Sequence, residues 1–264
     1  MTDSPSQKIT PESLAEWKAA RRKIPTLTAY DYPTARLLDE AGIPFLLVGD
    51  SLGMVVLGFK DTTQVTMDHI VHHLRAVSRG VTAAMVVADL PFESYETDAQ
   101  AVTNARRLAD AGADAVKLEG GSDMAPRVRA IRGEGIAVVG HIGMLPQHIR
   151  EEGGYKIKGR LEAERTRLLN DALAIEAAGA CAIVMELVVP DLSAEISRRL
   201  RIPTIGIGSG EECDGQILVT TDLLGTFPWF KPKFVKTKHN LAGQMTEIVH
   251  SYMASVQGHV EEHS

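Results

Sequence analysis

Cysteine is almost absent from this chain: Cys181 and Cys213 are the two in 264 residues. Neither has a CxxC partner or a histidine at metal-ligand spacing, which excludes a disulfide framework and a thiolate metal site and fits a reducing cytoplasm. Positive charge is also in deficit. Lys and Arg number 28 against 34 Asp and Glu, a net charge of −6, so neither nucleic acid nor an anionic membrane is an expected partner; the short cluster from Lys18 to Lys23 is the one basic run. No apolar run approaches the roughly 18 residues of a membrane span. The opening Met1-Thr-Asp-Ser-Pro-Ser-Gln-Lys8 lacks the apolar core of a secretion signal. Repeats, low-complexity tracts and linkers are missing too, so the expectation is a soluble cytoplasmic protein of one domain over residues 1–264.

What the chain does have is alternation, with 44% hydrophobic residues to fill a large core. Thr10-Pro-Glu-Ser offers an N-cap followed by a first-turn proline, so a short extra helix precedes the first strand. Continuously apolar runs rich in Val, Ile and Leu then fall at 24–30, 45–49, 83–88, 115–118, 137–140, 181–185, 204–207 and 216–220. Between them lie helical patterns at 35–41, 68–79, 98–111, 124–132, 161–178 and 191–200, most of them ending in glycine. Strands apolar on both faces belong to a parallel sheet covered on both sides. Eight such strands in one chain predict an α/β fold, a (β/α)8 TIM barrel over about residues 24–230, with a C-terminal helix at about 240–257. An open doubly wound sheet is the alternative, because periodicity does not report closure. Phe227-Pro-Trp-Phe230 reads either as the closing layer of the barrel or as a subunit contact.

The strand ends carry groups that are costly to bury: Asp50, Asp89, Lys117 with Glu119, His141 and Glu186. All fall at C-terminal ends, where barrels build their chemistry. Strand side chains alternate, so Lys117 and Glu119 share a face and point into the mouth. Oxygen donors from Asp50, Asp89 and Glu119, with no thiolate or histidine cluster, suit a hard cation, Mg2+ before Ca2+ and not zinc. With Lys117 that ion would offer positive charge to an anionic substrate. Each group alone has a plainer reading: an aspartate can cap the next helix, Lys117 can reach the rim, and His141 can be a bonded core residue. His141 is read as lining the site without a proton role. Gly206-Ile-Gly-Ser-Gly210 lacks the spacing of a phosphate loop and reads as a tight turn. The long excursion Met144 to Arg160 has the length of a lid or binding loop.

Taken in order, Val48-Gly-Asp-Ser-Leu-Gly53, Val65-Thr-Met-Asp68, Ala88-Asp-Leu-Pro-Phe92 with Ser94-Tyr95, and Gly112-Ala-Asp-Ala-Val-Lys-Leu-Glu-Gly-Gly121 resemble the ketopantoate hydroxymethyltransferase family. Gly140-His141, Gly153-Gly-Tyr-Lys156, Asp214-Gly-Gln216 and Pro232-Lys-Phe-Val-Lys236 extend the likeness, which runs from about Thr26 to the closing Glu-Glu-His-Ser264. The resemblance implies a (β/α)8 barrel assembled as a homodecamer that acts in pantothenate and coenzyme A synthesis. It implies transfer of a hydroxymethyl group from 5,10-methylenetetrahydrofolate to 3-methyl-2-oxobutanoate, giving 2-dehydropantoate. It places Mg2+ ligands at Asp50, Asp89 and Glu119, keto-acid contacts at Asp50, Ser51, Asp89 and Lys117, and the general base at Glu186. The chemistry is coherent, since a cation on the keto oxygen stabilises the enolate formed when the C3 proton leaves.

Three segments depart from the family's usual pattern: Leu145 replaces a threonine, Leu187-Val-Val-Pro190 runs one residue longer than Glu-x-Val-Pro, and Thr237-Lys-His-Asn240 replaces an Arg- and Tyr-rich stretch. The extra residue is expected to be absorbed in the loop after Glu186. Two rivals stand beside the transferase. The phosphoenolpyruvate mutase and isocitrate lyase group shares the architecture but uses a Lys-Lys-Cys-Gly-His loop, and Cys213 has other neighbours. A silent binding barrel would have no use for Lys117, Glu119 and Glu186 together, each costly to bury without a ligand.

Overall fold

The computed structural model describes residues 7–236 and 239–258; residues 1–6, positions 237 and 238 of the Thr237-Lys-His-Asn240 stretch, and residues 259–264, with the closing Glu-Glu-His-Ser among them, lie outside them. In chain order the elements are α1 (Pro11–Ala19), β1 (Ile24–Thr28), α2 (Tyr32–Glu40), β2 (Phe45–Val48), α3 (Leu52–Val55), α4 (Met67–Gly80), β3 (Met85–Asp89), α5 (Asp98–Asp110), β4 (Ala115–Glu119) and α6 (Ala125–Gly133). They continue as β5 (Ala137–Gly143), α7 (Ile149–Glu152), α8 (Glu162–Ala177), β6 (Ala182–Glu186), α9 (Pro190–Arg199), β7 (Thr204–Ile207), β8 (Gly215–Leu218), α10 (Thr220–Leu224) and α11 (Leu241–Gly258).

The eight strands pair in sequence order and close into a barrel. Neighbouring pairs from β1 with β2 to β7 with β8 are parallel, and Ile24 N–H donates to the Asp214 carbonyl at 3.0 Å across the seam. Closure settles the question that periodicity left open, and the architecture is the (β/α)8 barrel.

Because strand side chains alternate, each strand sends every second residue inward. The first inward positions are apolar: Ile24, Phe45, Met85, Ala115, Ala137 and Ala182 pack in one cluster with Leu47, Val87, Val139 and Val184 above them. Leu14 of α1 joins the same cluster, so the extra helix plugs the N-terminal end. Its start has both halves of a capping box, Thr10 and Ser13 each bonding the other's backbone N–H, with Pro11 in the first turn. Lys18 anchors it by an ion pair to Asp214 at 2.7 Å, and Arg22 stacks over the Trp17 ring at 3.6 Å. The basic cluster thus makes structural contacts within the fold.

Continuing the count by two along β3, β4, β5 and β6 turns the interior from apolar to charged: after Val87 comes Asp89, after Ala115 come Lys117 and Glu119, after Val139 comes His141, and after Val184 comes Glu186. The last inward layer is therefore the site. Strand β5 runs to Gly143, three residues past its expected end, because Gly143 pairs with Glu186.

The chain separates into two compact units, residues 1–217 and 218–264. In the second, Trp229 is 81% and Phe230 49% exposed. None of the described helices is long and apolar enough to cross a membrane.

Candidate active site

Asp50 follows β2, and Asp89, Lys117, Glu119, His141 and Glu186 sit in β3 to β6, with residue exposures between 2% and 8%. Register sets them side by side. Asp89 pairs with Lys117, Glu119 with His141, and Gly143 with Glu186. Lys117 Nζ lies 3.1 Å from Asp89 Oδ1, 3.1 Å from His141 Nδ1 and 4.0 Å from Glu119 Oε1. His141 bridges two carboxylates, its Nδ1 3.4 Å from Glu119 Oε1 and its Nε2 3.4 Å from Glu186 Oε2. Asp50 N–H donates to Asp89 Oδ2 at 3.0 Å, and the Ser51 and Tyr30 hydroxyls are hydrogen-bonded at 2.8 Å. All seven residues singled out from the sequence thus fall in one region at the C-terminal end of the barrel.

Glu186 keeps its place in β6 even though the segment after it is long. Leu187 takes a left-handed conformation, φ 50°, while its N–H donates to the Ile207 carbonyl at 2.9 Å. The chain thus turns immediately after Glu186.

Four buried carboxylates face two basic groups, Lys117 and His141. Burial, followed by the charges of Asp89 and Glu119, pushes the Asp50 carboxyl well above its usual range against the pull of Lys117 and Gln147. Burial also raises Asp89, opposed by Lys117 and the Asp50 N–H. On Glu119 burial is outweighed by His141, Lys117 and the Gln147 N–H, and its carboxyl is lowered. Burial opposes the charge on Lys117, but its three carboxylate neighbours keep it firmly protonated. Burial and Lys117 both disfavour an imidazolium at His141, yet Glu119 and Glu186 carry it up to about 9. Nδ1 is contested: a neutral ring accepts from Lys117, whereas a charged one donates to Glu119. The surplus of carboxylates favours the charged ring.

Sequence reasoning missed Gln147. It is 2% exposed in the turn that opens the excursion after β5. Its Nε2 donates to Asp50 Oδ2 at 2.8 Å and to the Leu90 carbonyl at 3.0 Å, and its backbone N–H donates to Glu119 Oε2 at 3.1 Å. Tyr95 OH donates to its Oε1 at 2.5 Å. The excursion itself is pinned by a two-pronged Arg150–Asp61 ion pair and by Lys158, whose N–H donates to the Leu187 carbonyl at 2.7 Å. Beneath it, a cavity of about 530 Å3 is lined by Tyr95, Glu119, Met124, Leu145, His148 and Lys156 among others. Of the Gly206 to Gly210 segment, Gly206 and Ile207 end β7 and the chain bends from Gly208, with Ser209 buried and its hydroxyl donating to the Met185 carbonyl at 2.7 Å.

The donor set fits a hard divalent cation. The donors are carboxylate oxygens, their negative charge exceeds the local positive charge, and Asp89 Oδ1 has no aligned hydrogen bond although Lys117 stands 3.1 Å away. Among the described residues, no three or more His, Cys, Asp or Glu side chains already converge as a metal cage. Mg2+ does not require one, since it commonly takes one or two carboxylates and fills its octahedron with water and substrate oxygens.

Comparison with known proteins accords with this geometry. The family model for ketopantoate hydroxymethyltransferase matches residues 8–260. The 3-methyl-2-oxobutanoate hydroxymethyltransferase of Acetivibrio thermocellus is 52% identical over 257 residues, covering 97% of this chain and 91% of that one. Its counterpart in Thermoanaerobacter sp. is 48% identical over 263 residues, covering 98% and 96%. Among solved structures, a phosphoenolpyruvate phosphomutase from Streptomyces platensis subsp. rosaceus superimposes with a TM-score of 0.64 at 15% identity, covering 97% of this chain and 91% of that one. A phosphonopyruvate hydrolase in complex with oxalate and Mg2+ gives 0.62 at 13%, covering 94% and 86%. At those identities the likeness concerns the fold alone. Sequence likeness along nearly the whole length does more: the chain is an enzyme, a hydroxymethyltransferase, and belongs to the ketopantoate hydroxymethyltransferase family.

Proposed function

We propose that this enzyme transfers a hydroxymethyl group from 5,10-methylenetetrahydrofolate to 3-methyl-2-oxobutanoate, giving 2-dehydropantoate for pantothenate and coenzyme A synthesis. The observation that carries the reading is the clustering of four buried carboxylates around Lys117 and His141 in the last inward layer of the barrel. Such a layer is expensive to maintain unless a cation and an anionic substrate complete it.

Asp50, Asp89 and Glu119 would hold Mg2+. When bound there, the ion would supply positive charge to offset the negative charge that develops on the 2-oxo acid as C3 loses its proton. Lys117 and the Ser51 hydroxyl bind the substrate carboxylate and so turn C3 toward Glu186. Glu186 takes the C3 proton, and His141, 3.4 Å from its carboxylate, steadies the charge of Glu186 before that transfer. Hydrolysis of the folate's methylene bridge consumes one water, breaks its two C–N bonds and releases tetrahydrofolate; the deprotonated C3 attacks the resulting formaldehyde carbon, whose oxygen takes a proton and becomes the product hydroxyl. The excursion after β5 covers the mouth and limits access of bulk solvent, while admitting the one water that the transfer consumes. We further propose a cytoplasmic homo-oligomer, a decamer by resemblance, with both cysteines as free thiols.

The lyase and mutase alternative is favoured by no feature of this chain beyond the shared barrel. Incubating the enzyme with 3-methyl-2-oxobutanoate and Mg2+ in heavy water, without folate, separates the readings. C3 hydrogen exchange followed by NMR is expected to require enzyme and metal and to be abolished by Glu186→Gln. Absence of exchange in the wild type would reject the mechanism.

A further inference from the structure

Gln147 is neutral, belongs to no strand and precedes the first turn of α7, yet it is among the most buried polar residues of the molecule. Both ends of its side chain and its backbone N–H are engaged. The amide nitrogen binds Asp50 Oδ2 and the Leu90 carbonyl, the amide oxygen accepts from Tyr95, and the main chain binds Glu119 Oε2. One residue therefore contacts groups from the loop after β2, from the loop after β3 and from β4. Tyr95 extends the chain: its hydroxyl also accepts from the Glu119 N–H at 3.3 Å. The amide cannot rotate, since turning it over would put its NH2 against the Tyr95 hydroxyl and its oxygen against both the Asp50 carboxylate and the Leu90 carbonyl.

Carboxylates packed this closely repel and would turn away from one another if nothing fixed them. Gln147 opposes that with neutral donors, which fix orientation without cancelling the charge that a cation needs. It occupies one oxygen of Asp50, Oδ2, and one of Glu119, Oε2. Neutral donors that orient metal-ligating carboxylates from behind raise metal affinity in general.

We propose that Gln147 is the positioning residue of the cation site: from the excursion it holds Asp50 and Glu119 in the arrangement that receives the divalent ion. This rests on the reading of Asp50, Asp89 and Glu119 as the cation's residues. It makes a directional claim, because a Gln147 that merely competed for Asp50 would weaken cation binding, and its removal would tighten it.

The test uses Mn2+ as probe, with the free ion counted by electron paramagnetic resonance in full-length enzyme without substrate. Gln147→Leu is expected to raise the Mn2+ dissociation constant about tenfold or more, the scale of one hydrogen bond to a charged group. Tyr95→Phe, which leaves every carboxylate and the Gln147 amide in place, is expected to move it the same way by less. Saturating Mn2+ is expected to restore C3 exchange in Gln147→Leu, a rescue that a general folding defect would not allow. Unchanged or tighter Mn2+ binding in both variants overturns the role of Gln147. A wild type that binds no Mn2+ overturns the reading of the site on which that role rests.

Discussion

Lys117 stands 3.1 Å from Asp89 and 4.0 Å from Glu119 in a buried layer, so its removal leaves carboxylates without their internal cation. Breaking a buried ion pair from one side costs about 3–5 kcal/mol. Lys117→Met is therefore expected to lower Tm in metal-free buffer and to recover part of the loss with Mg2+, more than the wild type gains from the same addition. If Lys117 also receives the substrate carboxylate, KM for the 2-oxo acid rises by about a hundredfold, near the upper end for a charged hydrogen bond. A variant with unchanged KM would remove Lys117 from the substrate contacts. At this scale the sequence was informative wherever charge interrupted an apolar strand: Asp50, Asp89, Lys117, Glu119, His141 and Glu186 stand out because burial penalises them. Gln147 carries no charge and no periodic pattern, so its burial could not be read until the excursion was seen folded onto the strand ends. His141 was expected only to line the site, and its place between Glu119 and Glu186 depends on strand register, which periodicity does not fix.

Elements hold the site through a few backbone positions. Gly143 ends β5 with φ 99°, and a Cβ there would lie 2.3 Å from the Glu186 carbonyl oxygen. Gly143→Ala must push the end of β5 away from β6, with a cost of at least about 2 kcal/mol from the left-handed backbone and the overlap together. If Glu186 is the base proposed above, the exchange rate is expected to fall by more than the substrate KM rises, because the displaced group is the one that takes the proton. Equal stability and rate would show that β5 and β6 separate freely at this end. A second element-scale device lies at the opposite end of the barrel. Asp39, near the end of α2, accepts from Thr82 N–H, Thr82 OH, Ala83 N–H and Ala84 N–H at 2.7–3.1 Å, fixing the entry to β3. Burial pushes its carboxyl up, but these bonds outweigh burial and hold it below its ordinary range. A carboxyl lowered in the folded state stabilises fully above its unfolded value of about 3.9 and loses that contribution as pH falls through the folded value. Asp39→Asn is thus expected to cost about 1–3 kcal/mol at neutral pH, with the gap to wild type in chemical denaturation shrinking below about pH 4. A gap independent of pH would contradict this account. Helix ends were legible to within a few residues from caps and glycines. The three extra residues of β5 were not, since Gly140 reads as a stop unless its partner strand is known.

At the scale of the whole chain, counting apolar runs identified the barrel, because both faces of each strand are covered and the sequence shows it. Closure was not legible, since no local pattern in β8 names β1 as its neighbour. Assembly leaves a different trace. Within the second unit, α11 exposes Met245, Ile248, Val249, Tyr252, Met253 and Val256, all at least 48% accessible. Their spacing of three and four residues places them along one stripe of the helix. A chain with net charge −6 gains nothing from such a stripe left in water, whereas burying each large apolar side chain against another copy contributes about 1.5–3 kcal/mol. The homo-oligomer proposed above would bury this surface. Ile248→Glu combined with Tyr252→Glu puts two charges in the stripe and changes no residue of the barrel strands. Light scattering after gel filtration is expected to give a multiple of 28.6 kDa for the wild type and a lower multiple for the double variant, with C3 exchange per site retained at saturating Mg2+. A monomeric wild type, or a double variant of unchanged mass, would show that copies of the chain do not meet through α11.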